Sequence, residues 1–117
     1  MEMKLYYTIT EAAELLGVQP HILRYWESEL KALRPKRKSG KRFYTPDDLK
    51  IAFIIKTLIK KEGYTLNGAR RKLRDSNIQD LIPHAAEALL LEIKEELQSL
   101  HREIKLYLES LEKEKKK

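Results

Sequence analysis

The sequence predicts a mostly α-helical fold in two parts, a small helical domain carrying a short β-hairpin and then a long C-terminal coiled-coil helix. Three observations predict it. Two amphipathic segments, 9–16 and 19–31, are separated only by Gly17-Val18. Seven basic residues and no acidic one lie between Lys31 and Arg42, in a stretch broken by Ser39-Gly40 and closed by Phe43-Tyr44. Apolar residues then recur at alternating spacings of three and four from Leu90 to Leu111.

Taken in order, Thr8 and Glu11 form an S/T-x-x-E capping box, so helix 1 starts at Ile9 and faces Ala12, Ala13 and Leu16 inward. Gly17 ends it as a left-handed cap. Helix 2 starts at Pro20, whose missing N–H costs nothing in a first turn, and ends near Lys31. At about 100° per residue, Ile22, Leu23, Trp26 and Leu30 share one side. His21, Arg24 and Ser28 take the opposite side, with Tyr25 at its edge and Gln19 just before the helix. Two short helices joined by a Gly-containing turn make a helix-turn-helix, whose second helix enters the DNA major groove. Helix 2 is therefore the candidate recognition helix.

From Arg34 to Tyr44 the chain reads as two short extended arms around the Ser39-Gly40 turn, a wing. Pro35 keeps its first arm at an edge. A two-stranded hairpin is marginal alone, so Phe43 is expected to pin it to the helices while its Lys and Arg side chains face phosphates. Thr45-Pro-Asp-Asp starts helix 3, which continues to about Lys61 and is apolar over more than half its circumference, as a core helix would be. Gly63 ends it. Thr65 caps helix 4 through Leu73, with Arg70, Arg71, Lys72 and Arg74 on its outer face. Asp80 to Pro83 reads as a boundary, giving a winged helix-turn-helix DNA-binding domain over 1–82 and a dimerisation helix with a basic tail over 83–117.

In that last segment Leu90, Leu97, Ile104 and Leu111 fall at a, and Ile93, Leu100 and Tyr107 at d, of successive heptads. A helix from His84 to Glu114 would be about 45 Å long at 1.5 Å per residue. It cannot bury such a seam by itself, so a second copy of the chain is the expected partner.

Charge supports the division. Residues 1–74 carry 17 Lys/Arg against 8 Asp/Glu, and residues 75–117 carry 7 against 10. The excess positive charge thus sits with the helix-turn-helix, where a polyanion needs it. Zero cysteines exclude disulfides and thiolate metal ligands. The longest apolar runs, 51–55 and 88–91, fall far short of the roughly 20 residues of a bilayer span. No charged-then-apolar leader opens the chain, so export is not expected.

The chain resembles the MerR family of transcription regulators. Four motifs carry the likeness in order: Tyr7-Thr-Ile-Thr-Glu-Ala-Ala-Glu-Leu-Leu-Gly-Val18, Leu23-Arg-Tyr-Trp-Glu27, Lys38-Ser-Gly-Lys-Arg-Phe-Tyr-Thr-Pro-Asp-Asp-Leu49 and Glu62-Gly-Tyr-Thr-Leu66. The resemblance implies a homodimer with an antiparallel helix pair, bound in the cytoplasm to a palindromic promoter element that it bends and untwists, with RNA polymerase as a neighbour there. It also implies that Lys36, Arg37, Lys38, Lys41 and Arg42 hold the DNA backbone, with Tyr44 close to that contact. Gln19-Pro20 departs from the small hydroxyl residue that many relatives place before this helix. Many relatives also sense a ligand through a C-terminal domain, or a metal through cysteines. Here the chain stops just after the heptads and has no cysteine, so neither a cofactor nor a small-molecule effector is expected.

Enzymatic chemistry has little to stand on. His21, His84 and His101 lie in separate segments without metal-ligand spacing, and Lys38-Ser-Gly-Lys41 lacks the spacing of a phosphate loop. Three classes stay open: a sequence-specific regulator, an architectural or chromosome-anchoring DNA binder, and a coiled-coil protein whose basic domain takes RNA or an acidic protein. Exposed polar base-readers on helix 2 favour the first over the second. Against the third, RNA modules offer aromatic stacking surfaces on a sheet or cleft, and the sequence promises only a helix and a hairpin.

Overall fold

The computed structural model describes residues 5–116. Its elements run β1 (Tyr7–Thr8), α1 (Ile9–Leu16), α2 (Pro20–Glu29), β2 (Lys36–Lys38), β3 (Lys41–Tyr44), α3 (Pro46–Lys56), a π-turn (Thr57–Lys61), α4 (Leu66–Asp75) and α5 (Ile78–Lys115). They fall into two compact units, the first ending at Ala85 and the second beginning at Ala86.

In the first unit, local chemistry sets the helix ends. Thr8 and Glu11 exchange side-chain and backbone hydrogen bonds as a capping box, and Thr45 and Asp48 do the same for α3. Gly17 closes α1 at φ +70°, a left-handed conformation that costs glycine nothing. The apolar faces of α1 (Ala12, Ala13, Leu16) and α2 (Leu23, Trp26) meet α3 residues Ala52, Ile54 and Ile55 in one core. α3 does not run regularly to Lys61. Its last turn widens, with the Glu62 N–H reaching back five residues to the Thr57 carbonyl at 2.9 Å. The buried Thr57 hydroxyl donates to the Phe53 carbonyl at 2.9 Å, so the widened turn leaves no buried side-chain polar atom unpaired among the described residues.

The wing is larger than a hairpin. β1 pairs antiparallel with β3, through Tyr7 with Tyr44 and Thr8 with Phe43, so the sheet has three strands in the order β1-β3-β2. Two residues ahead of helix 1 are too short a strand to read from alternation, which needs at least four. β2 and β3 are joined by Ser39 and Gly40, both at positive φ, the two-residue turn that matches strand twist. The residue that anchors the wing is also not Phe43, which is only partly buried. Tyr44 is completely buried and packs in the core.

The stretch Asp80 to Pro83, expected to end the first domain, is helical, and the two units part just beyond it, after Ala85. α5 starts at Ile78 and passes through Pro83. Ile78, Leu81, Ile82 and Ala85, spaced to share one face, all pack on the core of the first unit. That burial offsets the proline, which removes an N–H and crowds the Gln79 carbonyl one turn back. In the second unit no described residue is buried, and all seven seam positions are exposed, from 38% at Leu111 to 66% at Leu90.

Pro83→Ala should return the missing hydrogen bond to α5. Part of the proline penalty of about 3 kcal/mol is offset by the freer unfolded chain, so the variant should gain about 1–2 kcal/mol in urea unfolding followed by circular dichroism. An unchanged midpoint would mean that the start of α5 does not take part in the cooperative unit.

Candidate nucleic-acid interface

α2 is held from three sides. Its apolar face, Leu23, Trp26 and the following Leu30, is buried. At its C-terminal end the Arg70 guanidinium of α4 donates to the Glu29 carbonyl at 2.9 and 3.3 Å, supplying positive charge where the helix dipole is negative. On its flank, Glu27 is gripped by the wing. Arg42 donates from Nε to both carboxylate oxygens, at 3.0 and 2.8 Å. Arg37 donates to Oε1 at 3.2 Å, and the Tyr44 hydroxyl donates to Oε2 at 3.0 Å.

This clamp sorts the wing into two faces. Arg37 pairs with Arg42 across the ladder, and side chains alternate along a strand. Arg37, Arg42 and Tyr44 therefore share the face turned to α2. Lys36, Lys38, Lys41 and Phe43 share the other. Tyr6 meets Phe43 there edge to face, with ring centroids 6.4 Å apart.

The remaining arc of α2 is open to solvent. His21, Arg24 and Ser28 are exposed, and so are Tyr25 at the edge and Gln19 at the N-cap. Gln19 makes no side-chain cap, so its amide stays available while its carbonyl accepts from Ile22 and Leu23. The Ser28 hydroxyl is turned back onto the Tyr25 carbonyl at 2.8 Å. An exposed polar strip on a rigidly held helix, beside a basic wing, is the arrangement that reads a duplex groove.

The model of a family described as MerR HTH family regulatory protein matches residues 7–76, more than half of the chain. The chain belongs to the MerR family. An uncharacterised HTH-type transcriptional regulator of Bacillus subtilis (strain 168), YyaN, is 32% identical over 110 residues, covering 93% of this chain and 75% of that protein. The crystal structure of a MerR-family transcriptional regulator from Bacillus cereus is 27% identical, with a TM-score of 0.53 over 82% of this chain and 75% of that one. As a MerR-family protein this chain is a DNA-binding transcriptional regulator and not an enzyme.

Within this MerR-family domain the site residues read from the sequence do not form one set. Gln19, His21, Arg24, Tyr25 and Ser28 come together on the open side of α2. The five wing cations divide instead. Arg42 is bound to Glu27 and only partly exposed, Arg37 keeps much of its side chain in solvent, and the three lysines make no ion pair among the described residues. Tyr44, expected close to the DNA backbone, is instead fully buried and bonded to Glu27, so it supports the wing from within rather than offering a surface. Arg70 likewise leaves the exposed basic face expected of α4, because it caps α2. Glu27 and Arg70 are the residues that sequence reasoning missed. Their partners lie 10 to 17 and 41 positions away, beyond any local pattern.

The clamp has a consequence at high pH. Burial, then the hydrogen bond and charge of Glu27, hold the Tyr44 pKa well above its ordinary 10.0, with Arg42 opposing. The folded chain therefore keeps a proton that the unfolded chain releases once pH passes the ordinary value. Stability from this residue is complete below pH about 10 and falls above it, by up to about 1.4 kcal/mol per pH unit. Tyr44→Phe should lose about 1 kcal/mol at neutral pH with the hydrogen bond, and should show a shallower alkaline decline in urea unfolding. Equal declines in the two proteins would mean that the phenol is not held protonated.

Proposed function

We propose that the protein binds a palindromic promoter element as a homodimer, with one α2 helix in each of two successive major-groove segments. The observation that carries this reading is the solvent face of α2, where Gln19, His21, Arg24, Tyr25 and Ser28 lie exposed on a helix fixed on its other sides. Arg24 is the guanidinium on that face and the candidate for bidentate pairing with guanine. Arg37, with the turn-flanking Lys38 and Lys41, meets phosphates, while Arg42 and Tyr44 hold the wing in place. RNA polymerase at the same promoter, in a bacterial cytoplasm, completes the setting.

Pairing is supported by the second unit. Leu90, Ile93, Leu97, Leu100, Ile104, Tyr107 and Leu111 all leave their side chains in solvent. Burying an aliphatic side chain is worth about 1.5–3 kcal/mol, so covering two such seams offsets the entropy lost on association. The family resemblance favours antiparallel helices, although the g positions Glu96 and Glu103 would then face each other. One winged domain holds a half-site weakly, and tethering two raises their effective concentration on the second half-site.

Selection of bound sites from random duplex DNA should return a palindrome. Arg24→Ala should flatten the preference at one symmetric position, a loss of about 1–3 kcal/mol of discrimination. Selection that yields no consensus would mark an architectural binder instead. A fall that is equal on specific and scrambled duplexes would make Arg24 a phosphate contact.

The doubly substituted Leu97→Glu, Ile104→Glu chain should be monomeric by light scattering and should lose most affinity for the full palindrome. It should keep the intact chain's weak affinity for a half-site. If the unsubstituted chain is itself monomeric at micromolar concentration, the two-half-site mechanism fails.

A further inference from the structure

Beside its lysines, the outer face of the wing sheet carries aromatic rings that contact with a duplex backbone does not use. Lys36, Lys38 and Lys41 stand there without an ion-pair partner among the described residues. On the opposite face, by contrast, Arg37 and Arg42 are both drawn to Glu27. Lys36 and Lys38 lie beside two aromatic rings, Phe43 and the half-exposed Tyr6, set edge to face. Tyr6, Lys36, Lys38 and Phe43, with Arg37 between the two lysines in the strand, line an open concavity of about 380 Å³. An aromatic side chain left in solvent costs apolar exposure, and two like charges beside it repel one another unless an anion joins them.

One class of ligand answers both features, because a nucleotide carries a flat π-face and an anionic phosphate together. Bases of a single strand stack on aromatic rings without regard to sequence while lysines follow the backbone. A duplex cannot do this, since its bases are already stacked and only its phosphates would be met. An acidic peptide would satisfy the lysines but not the rings. We propose that this face is a second binding site, for a short single-stranded nucleic acid, with Tyr6 as the stacking platform and Lys36 as the phosphate contact. It is independent of whether α2 reads a palindrome.

The test uses the full chain and fluorescently labelled eight-nucleotide oligothymidylate and oligouridylate, read by anisotropy. Both arms carry the same chemistry, and the tighter one names the source as DNA or RNA. Tyr6→Ala should weaken oligonucleotide binding about fivefold or more, the range of one lost base stack, and leave duplex affinity unchanged. Tyr6→Phe should restore it, because the ring and not the hydroxyl stacks. Lys36→Ala should lower the salt slope for the oligonucleotide by about 0.7, the value of one lost phosphate contact. Arg24→Ala should weaken duplex binding while sparing the oligonucleotide. The proposal is overturned if neither oligonucleotide binds, or if poly-glutamate displaces them as well as unlabelled oligonucleotide does. It is equally overturned if Tyr6→Ala weakens duplex and single strand alike, which would make the sheet face part of the duplex site.

Discussion

The carboxylate of Glu27 is the point on which the DNA-binding unit turns. Only a tenth of its side chain is exposed, and an anion so enclosed is tolerated only with its lone pairs satisfied and its charge balanced. The wing supplies all of this through Arg42, Arg37 and Tyr44. Helix and wing come from different stretches of chain, so the bonds that satisfy one carboxylate also fix the angle between two elements. A recognition helix is useful only if its exposed side chains arrive at set positions relative to the phosphate contacts beside it. The same residue that would be a liability for stability thus fixes α2 and the wing relative to each other.

The clamp also decides how the wing's charge is distributed. A basic run of this density reads as one patch, but alternation along the strands divides it, and Glu27 neutralises charge on one face alone. The wing cations without an ion pair among the described residues, Lys36, Lys38 and Lys41, therefore lie on the face away from α2. Tyr44 belongs to the same economy. Its ring fills the core beneath the wing, and its hydroxyl completes the Glu27 shell, so one side chain joins hydrophobic anchoring to polar satisfaction.

Local signals were legible in the sequence, and nonlocal ones were not. Thr8 with Glu11, Thr45 with the acids after Pro46, Gly17 and Ser39-Gly40 each act within four residues, and each marks a terminus or turn where the structure has one. The buried stripe of α2 followed from periodicity alone. β1 escaped because a two-residue strand has no period to detect, and its existence depends on Tyr44 being buried opposite Tyr7. Pro83 misled for a related reason. A proline is a local stop signal, but Ile78, Leu81, Ile82 and Ala85 gain a tertiary surface that outweighs it. Of the candidate site, the α2 residues could be read because exposure follows helical phase. The roles of Arg42, Tyr44 and Arg70 could not, since each is set by a partner distant in sequence.

The second unit follows a different logic. Its residues 86–116 include none that is buried, so no tertiary packing within the unit helps its backbone hydrogen bonds offset the entropy of holding a helix. Favourable pairs such as Glu109 with Lys113 and Glu112 with Lys116 add only about 0.3–0.5 kcal/mol each. Apolar burial against a partner is the large term available, at several kcal/mol once a few seam residues are covered. On the dimer reading, helix order, association and occupancy of a two-half-site element therefore form one linked equilibrium. A duplex that holds two first units side by side raises the local concentration of their seams, and by linkage it favours pairing by as much as pairing favours the duplex.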